Sequence, residues 1–211
     1  PITIESGMSE VNQLDDGNQS FSKDVKPLFQ IHSTYIVSHI KSGYILVDQQ
    51  AAHERILYER YLSMLNEKEA MTQKELFPRN ITLNPADAEI LKDLLPQINL
   101  LGFDIQEFGK EAFVIHGVPA DLKFSQDEQK VIEQLLEQYK TNRDLDLNIS
   151  ENVARAMARS SAIKKGQSLT QEEMRGLVDQ LFACAMPFAS PTGKKCFVTF
   201  ELEELANKFG A

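Results

Sequence analysis

The chain has 211 residues, of which 42% are hydrophobic and 25% charged, a globular composition with enough apolar residues for one large core or two small ones. Its apolar runs are far shorter than the ~20 residues that a membrane-spanning helix needs, and no charged-then-apolar signal segment opens it. We therefore expect a soluble cytoplasmic protein that does not enter a membrane.

The net charge bears on nucleic-acid binding. The chain carries −9 at pH 7, whereas tight sequence-independent DNA binding needs clustered Lys and Arg to displace counterions from phosphates. We therefore expect this chain to bind DNA only weakly. The pairs Lys164-Lys165 and Lys194-Lys195 are either solvated surface, which is the commoner case, or local contacts to a DNA backbone.

The two cysteines are Cys184 and Cys196. They are too few for a secreted disulfide scaffold and too far apart for a CxxC metal or redox pair. Buried free thiols are the expected state, and a disulfide bridge is the alternative.

The first predicted elements are a linker, a hairpin and a helix. Residues 1–22 are polar and acidic without apolar periodicity, which is typical of a linker. Alternating apolar residues from Pro27 to Val47, broken at Ser42-Gly43, predict a β-hairpin. Apolar residues at helical spacing up to Leu65 follow, so the polar stretch 48–59 lies where a strand passes into a helix.

The rest of the chain predicts more helices than strands. We expect a turn near Phe77-Pro78, and Asn84 followed by Pro85 marks a helix start, because a capping side chain precedes a residue without an amide hydrogen. The later predicted elements are strands at 103–108 and 112–118, helices opened by capping boxes at 125–128 and 170–173, an Ala-rich helix at 153–162, a strand at 197–200 and a terminal helix.

This order of elements lacks the regular strand–helix alternation of a doubly wound sheet, so the predicted fold class is α+β. Contacts between the first and last thirds of the chain would leave the middle third as an inserted subdomain. We place the boundaries at 23–73 together with 146–211 for one subdomain and at 74–145 for the inserted one.

The most informative stretch runs from Asp48 to Glu59 and reads DQQAAHERILYE. By itself this pattern fits a solvated helix face with i,i+4 ion pairs. It also resembles the DQHA-x-x-E-x-x-x-x-E motif of the C-terminal nuclease in the MutL family of DNA mismatch repair proteins, with Gln50 where the histidine stands. Residues 157–166 (MARSSAIKKG) and 186–196 (MPFASPTGKKC) resemble two later segments of that family, MACRAxIKAG-like and NPFTCPHGRPT-like, so the resemblance covers roughly residues 26–209.

The departures from the family pattern fall on its metal ligands. Where nuclease-competent members gather ligands around zinc and a catalytic metal, this sequence has Gln50, Glu54, Arg159, Ser190 and Thr192, and only Glu54 matches the family's ligand. Zinc prefers thiolate and imidazole ligands, and a fixed guanidinium charge repels a cation. We therefore predict no stoichiometric zinc, no cofactor and no nuclease activity in this domain. The residual catalytic candidates are Asp48, Glu54 and Glu59, and His53 is a candidate substitute for the missing histidine.

A second candidate site is the segment QKELFP at residues 73–78. Gln73 followed three residues later by Leu76-Phe77 resembles bacterial peptides that bind the DNA polymerase sliding clamp, and it lies where MutL proteins carry such a motif. An extended peptide can insert two apolar side chains into a pocket while the glutamine amide fixes the register. In the alternative, Leu76 and Phe77 begin a buried strand with Pro78 at a sheet edge.

The resemblance implies a dimerisation and assembly module. It assigns dimerisation to the subdomain built from both ends of the chain and an external regulatory role to residues 74–145. The expected partners are a second copy of the chain, a MutS-type mismatch recognition protein and the sliding clamp. The longer protein is expected to carry an N-terminal ATPase that uses ATP and Mg²⁺. The alternative function is a metal-dependent strand-nicking endonuclease.

Overall fold

The computed structural model describes residues 27–67, 71–120, 128–142, 145 and 147–210. The predicted linker at 1–22 and Ser125 of the first predicted capping box lie outside these residues. Within them the chain forms two antiparallel sheets and six helices, an α+β architecture. The strands are β1 Phe29–Ile31, β2 Tyr35–Ile40, β3 Gly43–Asp48, β4 Thr72–Thr82, β5 Asp104–Glu107, β6 Ala112–Pro119 and β7 Phe197–Glu201. The helices are α1 Gln49–Glu67, α2 Pro85–Leu100, α3 Glu128–Thr141, α4 Ile149–Ser161, α5 Gln171–Ala183 and α6 Leu202–Lys208. No helix of the described part is long and apolar enough to cross a membrane.

The first sheet joins the two ends of the described chain in the order β1-β2-β3-β7. The predicted hairpin is confirmed as β2 and β3, and the predicted final strand is confirmed as β7, which pairs with β3. Glycine is needed at position 43, where β3 pairs with β7, because a Cβ there would collide with the carbonyl oxygen of Phe200. The hairpin and the terminal strand therefore share one sheet.

The second sheet has the order β4-β6-β5, with β4 at an edge. The expected turn near Phe77-Pro78 is wrong, since β4 continues to Thr82. Its pairing with β6 is broken only between Lys74 and Arg79. Proline is tolerated there because an edge strand has one row of unpaired backbone groups.

The helix starts follow the capping signals in the sequence. The Asn84 side chain accepts a hydrogen bond from the amide of Asp87, and Pro85 is the first residue of α2. Thr170 forms a complete capping box with Glu173 at the start of α5. These two predictions are confirmed, and Asn148 caps α4 in the same way.

In the part of the chain that the structure describes, two apolar clusters form the core, and α1 contributes to both. Ile56 packs with the first sheet and α5, whereas Leu57, Tyr61 and Leu65 pack with the second sheet and helices α2, α3 and α4. The predicted division into two subdomains stays a prediction, and its boundary at residues 73/74 falls inside β4.

One buried amide ties these elements together at the start of α1. The Gln49 side chain is fully buried, and its Nε2 lies 2.8 Å from the carbonyl oxygen of Ser33 and 3.1 Å from those of Lys164 and Gln167. Its Oε1 accepts a 2.6 Å hydrogen bond from Gln30. The turn after β1, the start of α1 and the segment after α4 therefore meet at one side chain.

We expect Gln49→Leu to lower the free energy of unfolding by about 3 kcal/mol, because several buried polar groups lose a partner at once. Urea unfolding measures the change. Gln106→Ala, which removes only an exposed side-chain bond to Asp104, is the control and should change it by less than about 0.5 kcal/mol. A Gln49→Leu variant as stable as this control would contradict the prediction.

Candidate functional site

The polar motif at the junction of β3 and α1 folds with its side chains bonded to one another. Asp48 Oδ1 accepts hydrogen bonds from the amides of Gln50 and Ala51, both at 3.0 Å. Gln50 Nε2 donates to Glu54 Oε1 at 3.0 Å, and Glu54 is only 3% exposed. Asp48 thus caps the helix, and the residue at the motif's histidine position donates to the surviving glutamate.

The third carboxylate, that of Glu59, anchors the segment after α5. It accepts hydrogen bonds from the amides of Ala185 at 2.7 Å and Met186 at 3.1 Å, and lies 3.5 Å from the guanidinium of Arg55. Arg55 in turn donates to the carbonyl oxygen of Ala189 at 2.6 Å. Arg55 is buried, so the solvated helix face considered as the alternative is wrong for this stretch, although the i,i+4 ion pair is present.

In the third resembling segment, residues 186–196, two hydroxyl groups are hydrogen-bonded to each other. Ser190 Oγ and Thr192 Oγ1 lie 2.8 Å apart, and the amide of Lys194 donates to Ser190 Oγ at 3.2 Å. Ser190 is buried. These two positions are therefore close together, as the family's ligand pair would be, but they are linked by hydrogen bonds.

Positive charge lies beside Glu54. The Lys164 ammonium donates to the carbonyl oxygen of Arg159 at 2.7 Å. Burial and the charge of Arg159 lower the pKa of Lys164, and the charge of Glu54 opposes that shift. Within the described residues, no three His, Cys, Asp or Glu side chains are grouped so that they could hold a metal ion.

Both cysteines are free thiols, as expected. Cys196 is buried and Cys184 is partly buried, and burial raises the pKa of each thiol to about 11. Both thiols are therefore protonated near neutral pH, so neither is a ready nucleophile.

A second candidate surface is the outer face of the first sheet. Phe29, Val37, Leu46 and Val198 are paired in one row across all four strands. A neighbouring row contains His39, Tyr44 and Phe200, in which the two aromatic rings stack with centroids 4.9 Å apart. Phe29 is 54% exposed and Val198 37% exposed, so this apolar face is open to solvent in the single chain.

The third candidate surface is the QKELFP segment. It lies in β4, where Gln73 pairs with Val118 before the ladder breaks. Leu76 is 90% exposed and Phe77 is 84% exposed. The alternative in which both side chains are buried is therefore wrong, although Pro78 does lie on an edge strand as that alternative supposed.

Comparison with known proteins identifies the family. A family model described as the MutL C-terminal dimerisation domain matches residues 28–169. The chain belongs to this MutL family. The DNA mismatch repair protein MutL of Chlorobaculum tepidum is 36% identical over 197 residues, which cover 92% of this chain and 31% of that protein. The MutL proteins of Chloroherpeton thalassium and Prosthecochloris aestuarii are 36% and 34% identical, over 87% and 96% of this chain and 29% and 32% of their own lengths. The chain thus spans about a third of the length of these MutL relatives.

Sequence reasoning located the MutL motifs but missed the contacts that organise them. The contact of Arg55 with Ala189 joins residues 134 positions apart and has no local signal. His53, considered as a substitute for the motif histidine, instead accepts a 2.9 Å hydrogen bond at Nδ1 from the amide of Ile163. It thereby holds the end of α4 against α1.

This contact makes stability depend on pH. Burial, followed by the charges of Arg60 and Lys164, lowers the pKa of His53 from 6.5 to about 4. The folded state thus resists a proton that the unfolded chain accepts, so this contribution is complete above pH 6.5 and is lost as the pH falls towards 4.

Between pH 7 and about pH 4.5 the free energy of unfolding of the wild type should fall, in part because of His53. We expect that of His53→Asn, which keeps an acceptor for Ile163, to fall by less over this range, the difference being on the order of 2 kcal/mol. Urea unfolding at both pH values measures it. An NMR titration that places the His53 pKa near 6.5 in the folded protein would contradict the assignment.

Proposed function

We propose that this chain is the dimerisation and assembly module of a mismatch repair protein, and that two copies join through the outer face of the first sheet. The observation that carries the proposal is the apolar row Phe29, Val37, Leu46 and Val198, which crosses the whole sheet. Its two end residues are exposed, and Val37 and Leu46 between them are half-buried. The family description, a dimerisation domain, points to the same role.

The physical argument is that a sheet with two apolar faces needs two partners. Its inner face packs on α1 and α5 through Ile36, Ile45 and Val47, which are at most 5% exposed. The outer face also carries apolar residues at every second position, but the described helices α1 and α5 pack on the inner face and not on this one. Two such faces can stack about 10 Å apart around a two-fold axis, which buries apolar area on both copies.

Dimerisation would serve the longer protein. The relatives are named DNA mismatch repair protein MutL, and about two thirds of their length lies outside the match. We propose that this remainder includes an N-terminal ATPase that uses ATP and Mg²⁺, that the present domain needs no cofactor, and that a MutS-type protein is a further partner. Tethering two ATPase heads raises their effective concentration, so that their association becomes intramolecular.

We expect the chain to sediment as a dimer at tens of micromolar and Leu46→Lys to sediment as a monomer, because the lysines would place like charges in a desolvated interface. Phe108→Lys, at a 71% exposed position beside the second sheet, is the matched control and should remain dimeric. A monomeric wild type, or a dimeric Leu46→Lys variant, would contradict the proposed surface.

We also propose that Gln73, Leu76 and Phe77 bind a DNA polymerase sliding clamp. The high exposure of both apolar side chains supports this, because neither contributes to the core. Gln73 precedes them in an extended strand, which is the conformation that a groove-binding peptide adopts.

We expect Leu76→Ala combined with Phe77→Ala to abolish a micromolar interaction with the clamp, since each buried anchor contributes about 2 kcal/mol or more. Calorimetry measures the affinity. Because both side chains are exposed, the melting temperature of the variant should match that of the wild type. Unchanged affinity in the folded double variant would remove the clamp proposal.

The alternative is a strand-nicking nuclease that uses Asp48, Glu54 and Glu59. Against it stand the bonds that already engage these carboxylates and the non-ligand residues Gln50, Arg159, Ser190 and Thr192. We expect no nicking of supercoiled plasmid with Mn²⁺ and no stoichiometric zinc by elemental analysis. Nicking that Glu54→Ala abolishes, or about one zinc per chain, would favour the nuclease.

A further inference from the structure

The last four residues of the proposed clamp-binding segment QKELFP, residues 75–78, form a bulge in β4. Lys74 pairs with Gly117 and Arg79 pairs with Ile115, so the four residues 75–78 lie opposite the single residue His116. If the ladder continued regularly from Lys74, Leu76 would stand opposite Ile115, which is fully buried. Residues directly opposite in an antiparallel pair share a face of the sheet. The regular register would place Leu76 in the ladder beside Ile115, whereas the observed register places it in the bulge, where its side chain is 90% exposed.

In the observed register Arg79 takes the position that Leu76 would otherwise occupy. Its guanidinium Nη1 lies 2.6 Å from Oε2 of Glu128, the first residue of α3. The Glu128 side chain is only 6% exposed, and among the described residues Arg79 is the partner recorded for its Oε2, through the ion pair and not a hydrogen bond. A buried carboxylate is costly without a partner, so this ion pair favours the register that brings Arg79 to α3.

We propose that the ion pair between Arg79 and Glu128 positions the clamp-binding segment by holding β4 in the register that displays Leu76 and Phe77. The proposal rests on the clamp function proposed above. The other end of the bulge is held by the pairing of Lys74 with Gly117, a close approach that needs glycine because a Cβ there would lie 2.6 Å from Thr72 Cγ2 and 2.9 Å from the carbonyl oxygen of Gln73. A segment fixed at both ends loses less conformational freedom on binding than a free one.

The test compares the chain with a synthetic peptide of residues 71–80, using the sliding clamp of the same organism and calorimetry. We expect Arg79→Ala and Glu128→Gln each to weaken clamp binding by the chain about tenfold, with Arg79→Lys closer to the wild type. The peptide should bind equally well with Arg79 or with alanine at that position. Lys92→Ala, which breaks the ion pair of Lys92 with Glu89 on α2, is the control and should leave the affinity unchanged.

Three outcomes would overturn the proposal. Wild-type affinity in both Arg79→Ala and Glu128→Gln would mean that the ion pair does not matter. An equal loss in the chain and in the peptide would mean that Arg79 touches the clamp itself. If Leu76→Ala with Phe77→Ala keeps the wild-type affinity, the clamp function itself fails. Should Arg79→Ala fail to fold, Glu128→Gln and Arg79→Lys carry the same comparison, because both keep the size and polarity of the pair.

Discussion

The arrangement of the first sheet depends on the buried amide of Gln49. A single side chain bonds the turn after β1 and the segment after α4, while its own backbone begins α1. The amide of Gly166 also donates to the carbonyl oxygen of Ser33 at 2.8 Å, so the same turn is held twice. Because α1 packs in both apolar clusters, fixing its first residue sets the position of the first sheet relative to the rest of the molecule.

The motif residues make polar contacts in this structure, some with neighbouring residues and one with a distant segment. Asp48 caps a helix, Glu59 holds the backbone after α5, and Ser190 bonds to Thr192. A metal would have to compete with these bonds for the same oxygen lone pairs, and it would do so beside the positive charge of Lys164. The segment after α5 is attached to α1 at two points, through Arg55 and Glu59.

The sequence predicted those parts of the fold that depend on neighbouring residues. The caps at Asn84 and Thr170 involve residues three positions apart, and the hairpin follows from alternation around a turn. Strand β4 was missed because an exposed edge strand has no apolar alternation, so only its proline was informative and suggested a turn. The contacts of Gln49 with Lys164 and Gln167 and the ion pair of Arg79 join residues about 50 to 120 positions apart, and no local pattern marks them. The motifs therefore indicate the family from the sequence alone, whereas the contacts that their side chains make are known only from the structure.

The two proposed interaction surfaces use different sheets and share no residue. The dimer surface lies on β1, β2, β3 and β7, and the clamp-binding segment lies on β4. Dimerisation through the first sheet would therefore leave both copies of the segment exposed. Two linked segments bind a partner that has two equivalent sites more tightly than one segment does, provided that the spacing fits, because the second contact is intramolecular. Under both proposals the dimer would act on the clamp as it would on the ATPase heads, by raising the local concentration of a weakly binding element without changing its intrinsic affinity.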